Sequence, residues 1–269
     1  MMKIPLIVRN EEPKSLVRIG KVSKSLLINT NTNYILIIMN TKFKHKPMEL
    51  GYDLTAKSTV AGRLYETPEG VFYPSVTTVL GHATKAGIIA WRKAVGEEEA
   101  NRVSRHACAR GNAVHHTAER YINNEDNYLK EGTMPHVLQL WNAMKKVLDE
   151  KVDNVIMQEV PLYSDELMLA GRVDLICEFD GVLSIVDFKT SSRVKTRDQI
   201  SGYFKQECAY AIMFEERTGI KIDQLVTVMV VDGSDESITF IEKKDDWEEP
   251  LKQTISEYYD HLREKVKNL

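Results

Sequence analysis

The chain predicts an α/β fold, a mixed central sheet flanked by helices, with a helical insertion ahead of the sheet. Three observations lead there: helix-period segments fill residues 86–150, strand-sized runs with short polar turns crowd residues 155–189, and helix and strand patterns then alternate to the final helix. At 269 residues and 30.8 kDa the chain can bury one sizeable core, or one core plus a smaller helical subdomain. We expect a poorly defined extension over residues 1–40 and a single domain over 41–269, with a helical region at 86–150 and the sheet and its flanking helices at 153–269.

Taken in order, residues 1–40 hold scattered Lys and the run Asn-Thr-Asn-Thr-Asn at 29–33, with no sustained period. Met1 to Val8 is too short for a signal h-region, and Glu11 and Glu12 follow closely. Met39, ahead of a more regular segment, is a candidate alternative start. Arg63 to Tyr73 reads as a hairpin turning at Thr67-Pro68-Glu69-Gly70, and Ser75 is a candidate cap for the helix that follows. Helices are expected at 86–95 and 97–123, the second carrying apolar or small residues at 100, 103, 107, 111, 114, 118 and 121. A third fits 134–150 through Val137, Leu140, Trp141, Met144 and Leu148.

Strands are expected at Val155 to Tyr163, Leu167 to Phe179 and Val182 to Lys189, joined through Ser164-Asp165-Glu166 and Asp180-Gly181 as a meander. A helix at 198–217 precedes a strong strand at Leu225 to Val231 and an edge-like strand at Ser237 to Lys243. The last helix shows the stripe Trp247, Leu251, Ile255, Tyr258, Leu262 and Val266.

Composition excludes several classes. With 43% hydrophobic and 28% charged residues, and no apolar run near bilayer length, a membrane protein is not expected. Cys108, Cys177 and Cys208 are far apart and form no Cys-x-x-Cys pair, so neither a disulfide framework nor a zinc ribbon is suggested, and a reducing, cytoplasmic setting is expected. The net charge of −3 argues against a protein that coats nucleic acid nonspecifically. Yet residues 41–120 carry 12 Lys and Arg against 8 Asp and Glu, while residues 121–269 carry 18 against 29. A polyanion would be met by the first part, and cations held by the second. For charge alone, plain solvated surface is the better account of such an imbalance.

Asp187 and Lys189 sit two apart on one predicted strand, so both project from one face while Val186 and Phe188 face the other way. Alone, Asp-x-Lys is also the pattern of a surface ion pair. Thirteen residues upstream, Asp174 enters the neighbouring strand, and a hairpin through Asp180-Gly181 brings it alongside Asp187. Two carboxylates forced together repel unless a cation joins them, and Mg²⁺ or Mn²⁺ relieves that cost, with the Phe188 carbonyl as a further oxygen. Such a metal lowers the pKa of bound water and polarises a phosphodiester oxygen, while Lys189 orients the water and offsets developing charge. His115 lies on the long helix one turn from Gly111 and one from Glu119, a candidate third ligand with His116 as its rival. Gln206 and Tyr210 share a helix face at i, i+4, offering polar tips to a nucleic-acid backbone or to the lysine, or simply closing a helix–sheet joint.

Gly-x-x-x-His at 111–115, Gly-x-x-Asp at 171–174, Asp-x-Lys at 187–189 and Gln-x-x-x-Tyr at 206–210, in that order, resemble the RecB-type branch of the PD-(D/E)XK nucleases. Glu159 looks like the acidic residue often found on the preceding strand. The hairpin with Tyr73-Pro74-Ser75-Val76-Thr77 is most similar to that of phage exonucleases and the mitochondrial genome-maintenance exonuclease. This resemblance implies a restriction-endonuclease-like sheet and an exonuclease that prefers single-stranded DNA ends, with residues 86–150 as an arch through which the strand is threaded. It makes His115, Asp174 and Asp187 metal ligands, Lys189 the catalytic lysine, and Gln206 and Tyr210 DNA contacts. Ser75, Thr77, Trp91, Arg92, Arg110, Thr190 and Ser191 follow as candidates for phosphate contact and base stacking, with Glu119 and Glu159 in support.

No iron–sulfur cluster is expected, because three scattered cysteines cannot repeat the four-cysteine arrangement of one sub-branch. No Gly-x-x-x-x-Gly-Lys-Ser/Thr loop is present, so no nucleotide cofactor and no helicase motor are expected, and whether a helicase or polymerase partner delivers the strand stays open. Two rival readings remain: a structure-specific endonuclease of the junction-resolvase type, and a DNA-binding accessory module whose cutting centre has decayed.

Overall fold

In the computed structural model, residues 26–30, 33–37, 42–60 and 62–267 are described, and the chain divides into two units, Met1–Lys42 and Phe43–Leu269. In the first, β1 (Leu26–Thr30) and β2 (Asn33–Ile37) pair antiparallel, with Thr30 opposite Asn33. These two short strands lie within residues 1–40, expected as a poorly defined extension, and their Leu, Ile and Tyr residues suit strands. The readings of Met1 to Val8 and of Met39 fall outside the described residues.

The second unit opens with a small antiparallel sheet of β3 (Thr55–Thr59), β4 (Gly62–Glu66) and β5 (Phe72–Pro74). The expected Thr67–Gly70 turn closes β4 onto β5, with the Thr67 amide donating to Val71 and the Gly70 amide to Thr67. Helix α1 spans Val76–Val95, and its first amides are capped by Ser75, whose side chain accepts from the Thr78 amide at 3.1 Å. The helix starts at the expected Ser75 cap, ten residues ahead of the segment 86–95 that its pattern marks as helix. Val76, Thr77, Thr78 and Val79 are β-branched and read poorly as helix, but complete burial of Val76 and Val79 outweighs that preference.

Gly96, at φ 87, ends α1 and starts α2 (Glu97–Ile122), whose Glu97, Glu98 and Glu99 favour the positive end of the helix dipole. Pro135 opens α3 (Pro135–Lys151), where its missing N–H costs nothing.

The central sheet comprises β6 (Val152–Ser164), β7 (Leu169–Phe179), β8 (Val182–Ser191), β9 (Gln224–Val231) and β10 (Ile238–Lys243), in spatial order β10-β9-β8-β7-β6. β8 and β9 run parallel, and the other neighbours antiparallel. β10 is the expected edge strand. Asp180 and Gly181, at φ 51 and 77, make the tight turn between β7 and β8. After a 3-10 turn at Arg197–Ile200, α4 (Ser201–Thr218) crosses over to β9, and α5 (Lys244–Lys267) closes the chain.

Strand alternation splits the core into two layers. Leu175, Cys177, Phe179, Val186, Phe188, Val226, Val228 and Val230 pack against α2 and α3. Ile176, Ile185 and Leu225 pack with α4 and α5 on the other face, where Leu251, Ile255 and Tyr258 bury the middle of the predicted stripe. Val266, its last member, is exposed. Among the described residues no helix is long and apolar enough to cross a membrane.

Candidate metal centre

Three adjacent strands bring three acids to one level. The β7–β8 register pairs Leu175 with Val186, so one further step sets Asp174 opposite Asp187. The β6–β7 register pairs Gln158 with Leu175 and Val160 with Val173, which sets Glu159 opposite Asp174 from the other side. Glu159 adopts φ 50, a left-handed conformation costly for a residue with a Cβ, and Arg172 donates to its carbonyl.

Helix α2 supplies the histidine. Gly111 faces Thr190 near the end of β8, where a Cβ would meet Thr190 Oγ1 at an ordinary contact distance of 3.5 Å, so this turn of the helix lies against the strand. His115 Nδ1 lies 3.5 Å from Asp174 Oδ2, and its ring meets Phe188 edge-on at 6.0 Å. The rival His116 points outward, its side chain 64% exposed, and sits 3.4 Å from Glu119.

Among the described residues, the groups that bring three potential ligand atoms within 4.8 Å of one another are His115, Glu159 and Asp174. The set therefore differs from the expected His115, Asp174 and Asp187. Glu159, read as a supporting acid, stands inside it. Asp187 is instead turned toward Lys189, with which it pairs, and accepts from Gln206 Nε2 at 2.9 Å. Phe188 meets Asp174 through its N–H at 2.8 Å.

The electrostatics fit a cation. Burial and the neighbouring Asp174 push the Glu159 carboxyl up to about 7. Burial likewise raises Asp187, with Asp174 adding to the shift and Lys189 opposing it. Asp174 is held below its ordinary value: burial pushes it up, but the His115 ring, Lys189 and the Phe188 amide outweigh that. Burial lowers His115, yet Asp174 reverses the balance and raises it. Without a metal, protons and internal pairs carry this charge; a divalent cation held by two carboxylates and an imidazole would replace them. Such a cation would supply an acidified water and a polarised phosphoryl oxygen.

Gln206 ties the second half of the site together. Its Oε1 accepts from Lys189 Nζ at 3.3 Å while its Nε2 lies 3.5 Å from the Tyr210 hydroxyl. Tyr210 is buried against Gly171, where a Cβ would come within 2.8 Å of the ring. The glycine of Gly-x-x-Asp and the tyrosine of Gln-x-x-x-Tyr are thus two halves of one contact. Glu207, fully buried beside this group, has its carboxyl raised by burial and by Asp187, and it accepts from Thr227.

The remaining expected contacts are dispersed. Ser75 is buried in its cap beside Thr77 and Thr78, at 3.1 and 2.8 Å. Trp91 is 38% exposed on α1, while Arg92 is paired with Glu97 and donates to Asn101 at 2.7 Å. Arg110 pairs with Asp232, and Ser191 is buried, donating to the Arg193 carbonyl at 2.6 Å. Thr190 lies beside Gly111. The three cysteines are free thiols, Cys108 exposed and Cys177 and Cys208 buried.

The five-stranded mixed sheet between helical layers, with this acidic cluster and lysine on its neighbouring strands β6, β7 and β8, is consistent with the restriction-endonuclease-like architecture. Residues 155–269 match the family model described as the PD-(D/E)XK nuclease superfamily, and the match supports that superfamily. It runs from β6 to the C-terminus and so includes Glu159, Asp174, Asp187 and Lys189, while His115 lies ahead of it. No curated protein matches the chain. A nuclease domain of this kind supports hydrolysis of nucleic acid with DNA as substrate and a divalent metal as cofactor.

Proposed function

We propose that this protein is a Mg²⁺- or Mn²⁺-dependent exodeoxyribonuclease of the RecB-type branch, acting on single-stranded DNA ends in replication, repair or recombination. The observation that carries this reading is the meeting of His115, Glu159 and Asp174 within 4.8 Å beside the Asp187–Lys189 pair. In it His115, Glu159 and Asp174 hold the cation, Asp187 completes the charge around it, and Lys189 faces the scissile phosphate and steadies the attacking water. Gln206 fixes Lys189 and Asp187 relative to each other, and the buried Tyr210 fixes Gln206.

The preference for ends rests on the helical insertion. The second half of α1 and the first half of α2 are almost wholly exposed and carry Trp91 with Lys85, Lys93 and Arg105 beside the acidic Glu97, Glu98 and Glu99, offering a stacking ring and cations to a flexible strand. A helicase or polymerase would deliver that strand.

The test is degradation of an end-labelled single-stranded oligonucleotide and of a covalently closed single-stranded circle, each with Mg²⁺, Mn²⁺ or EDTA. Metal-dependent loss of the linear strand with survival of the circle is expected. Rapid cutting of the circle would make the enzyme an endonuclease, and no cleavage of either substrate in any metal would leave a decayed DNA-binding module.

A further inference from the structure

Lys189 shares an aromatic ring with a second lysine. Its Nζ lies 4.9 Å from the centroid of Tyr203, at the start of α4. Lys195, in the loop between β8 and the 3-10 turn, lies 5.2 Å from the same centroid and donates to the Tyr203 hydroxyl at 2.8 Å. Tyr203 precedes Gln206 and Tyr210 at i, i+3 and i+7, so all three occupy one face of α4.

The two lysines are neutralised differently. Lys189 is paired with Asp187. Lys195 makes no ion pair with a carboxylate among the described residues, although it is half-buried and held against Tyr203. A positioned cation without a counter-charge is a receptor for an anion. The Tyr203 hydroxyl accepts from Lys195, which leaves its own proton to donate to the same anion.

We propose that Lys195 and the Tyr203 hydroxyl form a phosphate subsite beside the cutting centre, taking a backbone phosphate next to the scissile one. This rests on the nuclease reading above and adds a substrate contact to it. Tyr203 acts as a positioning residue: its ring holds both lysines, so occupation of the subsite sets the scissile phosphate against Lys189. Lysine and tyrosine side chains are ordinary phosphate contacts, and such contacts fix the register of a strand without reading its sequence.

The test is binding of a labelled single-stranded oligonucleotide by the full chain in EDTA between 50 and 200 mM salt. Each phosphate contact to a single strand contributes about 0.7 to the slope of log affinity against log salt. Lys195→Met should therefore lower the slope by about 0.7, so that wild type loses about 2.6-fold more affinity over that fourfold range. Lys195→Arg should keep the wild-type slope, and Lys195→Gln repeats the measurement should the Met variant fold poorly. In cleavage assays Tyr203→Phe, which retains the ring, should raise KM several-fold with kcat within about twofold, while Tyr203→Leu lowers kcat as well. A wild-type slope in both Lys195→Met and Lys195→Gln, or the same loss in Lys195→Arg, would overturn the subsite and leave the nuclease reading intact. Wild type that neither binds nor cleaves the oligonucleotide would remove both.

Discussion

From Ala83 to Ala109, along the end of α1 and the start of α2, every side chain is exposed except Arg92, Ser104 and Ala100. Where β8 meets α4, Asp187, Glu207 and Tyr210 are buried, and each has at least one polar partner. The helical arm keeps Ile88, Ile89, Trp91, Val95 and Val103 in water, whereas the sheet hides even its carboxylates. Chemistry that depends on fixed charge needs the second environment, because a low dielectric strengthens every pair and penalises every unpaired group. A surface that must accept a flexible strand needs the first, where few contacts oppose local movement.

That contrast is broken or sharpened by graded substitutions. The greatest loss is expected in the sheet: Lys189→Ala or Asp174→Asn should cut the cleavage rate by roughly 10²–10³-fold or more, the scale of removing one preorganised charge-stabilising group. Oligonucleotide binding in EDTA should persist, and wild-type turnover by either purified variant would remove that residue from the mechanism.

Next comes Gly171→Ala. The added carbon would stand 2.8 Å from the Tyr210 ring and 3.0 Å from its hydroxyl. Thermal or urea unfolding should show a loss of about 1–3 kcal/mol, the usual cost of overpacking, together with reduced turnover as Gln206 shifts. An unchanged midpoint would mean that Tyr210 has room to move.

In the arm the balance reverses. Trp91→Ala should weaken single-strand affinity by about 1 kcal/mol, at the lower end for loss of a base-stacking platform, while unfolding stability stays within about 0.5 kcal/mol. A large loss of stability with unchanged affinity would make Trp91 part of the fold rather than a contact for substrate.

Last comes a pH dependence. Glu159, lifted to about 7 from an ordinary 4.5, binds more proton in the folded than in the unfolded chain between those values. Metal-free stability should therefore fall as pH rises through that window. Glu159→Gln should make the fall shallower without abolishing it, since Asp187 and Glu207 are raised in the same sense. Saturating Mn²⁺ should offset it in wild type by replacing the proton. A melting temperature in the metal-free protein that rises with pH across this range would contradict the assignment.

Much of the sheet was legible because its signals are short in range. The Asp180-Gly181 turn and the alternation along β7 and β8 each depend on neighbours a few residues away. The start of α1 was legible only through its Ser75 cap; the β-branched opening that follows takes helical form through burial against residues far along the chain. Arg92 and Arg110 read as free basic residues, yet their partners Glu97 and Asp232 are visible only once α2 and the turn after β9 are in place. Tyr203 carried a faint signal, its helical spacing from Gln206 and Tyr210, but nothing local ties it to two lysines.

Strand period and turn chemistry were enough to put Asp187 beside Lys189 and to fold Asp174 across from them, because a two-residue repeat and a tight turn leave the backbone little choice. Folding in three dimensions settled the rest. Whether His115 or His116 faces Asp174 depends on how α2 rolls on β8, which the packing of Val114, Ala118 and Ile122 against the sheet governs. Whether Glu159 joins them depends on the register of β6 against β7 and on a left-handed kink within the strand. Rotation and register are set by packing between distant segments, and no local pattern of residue types encodes them.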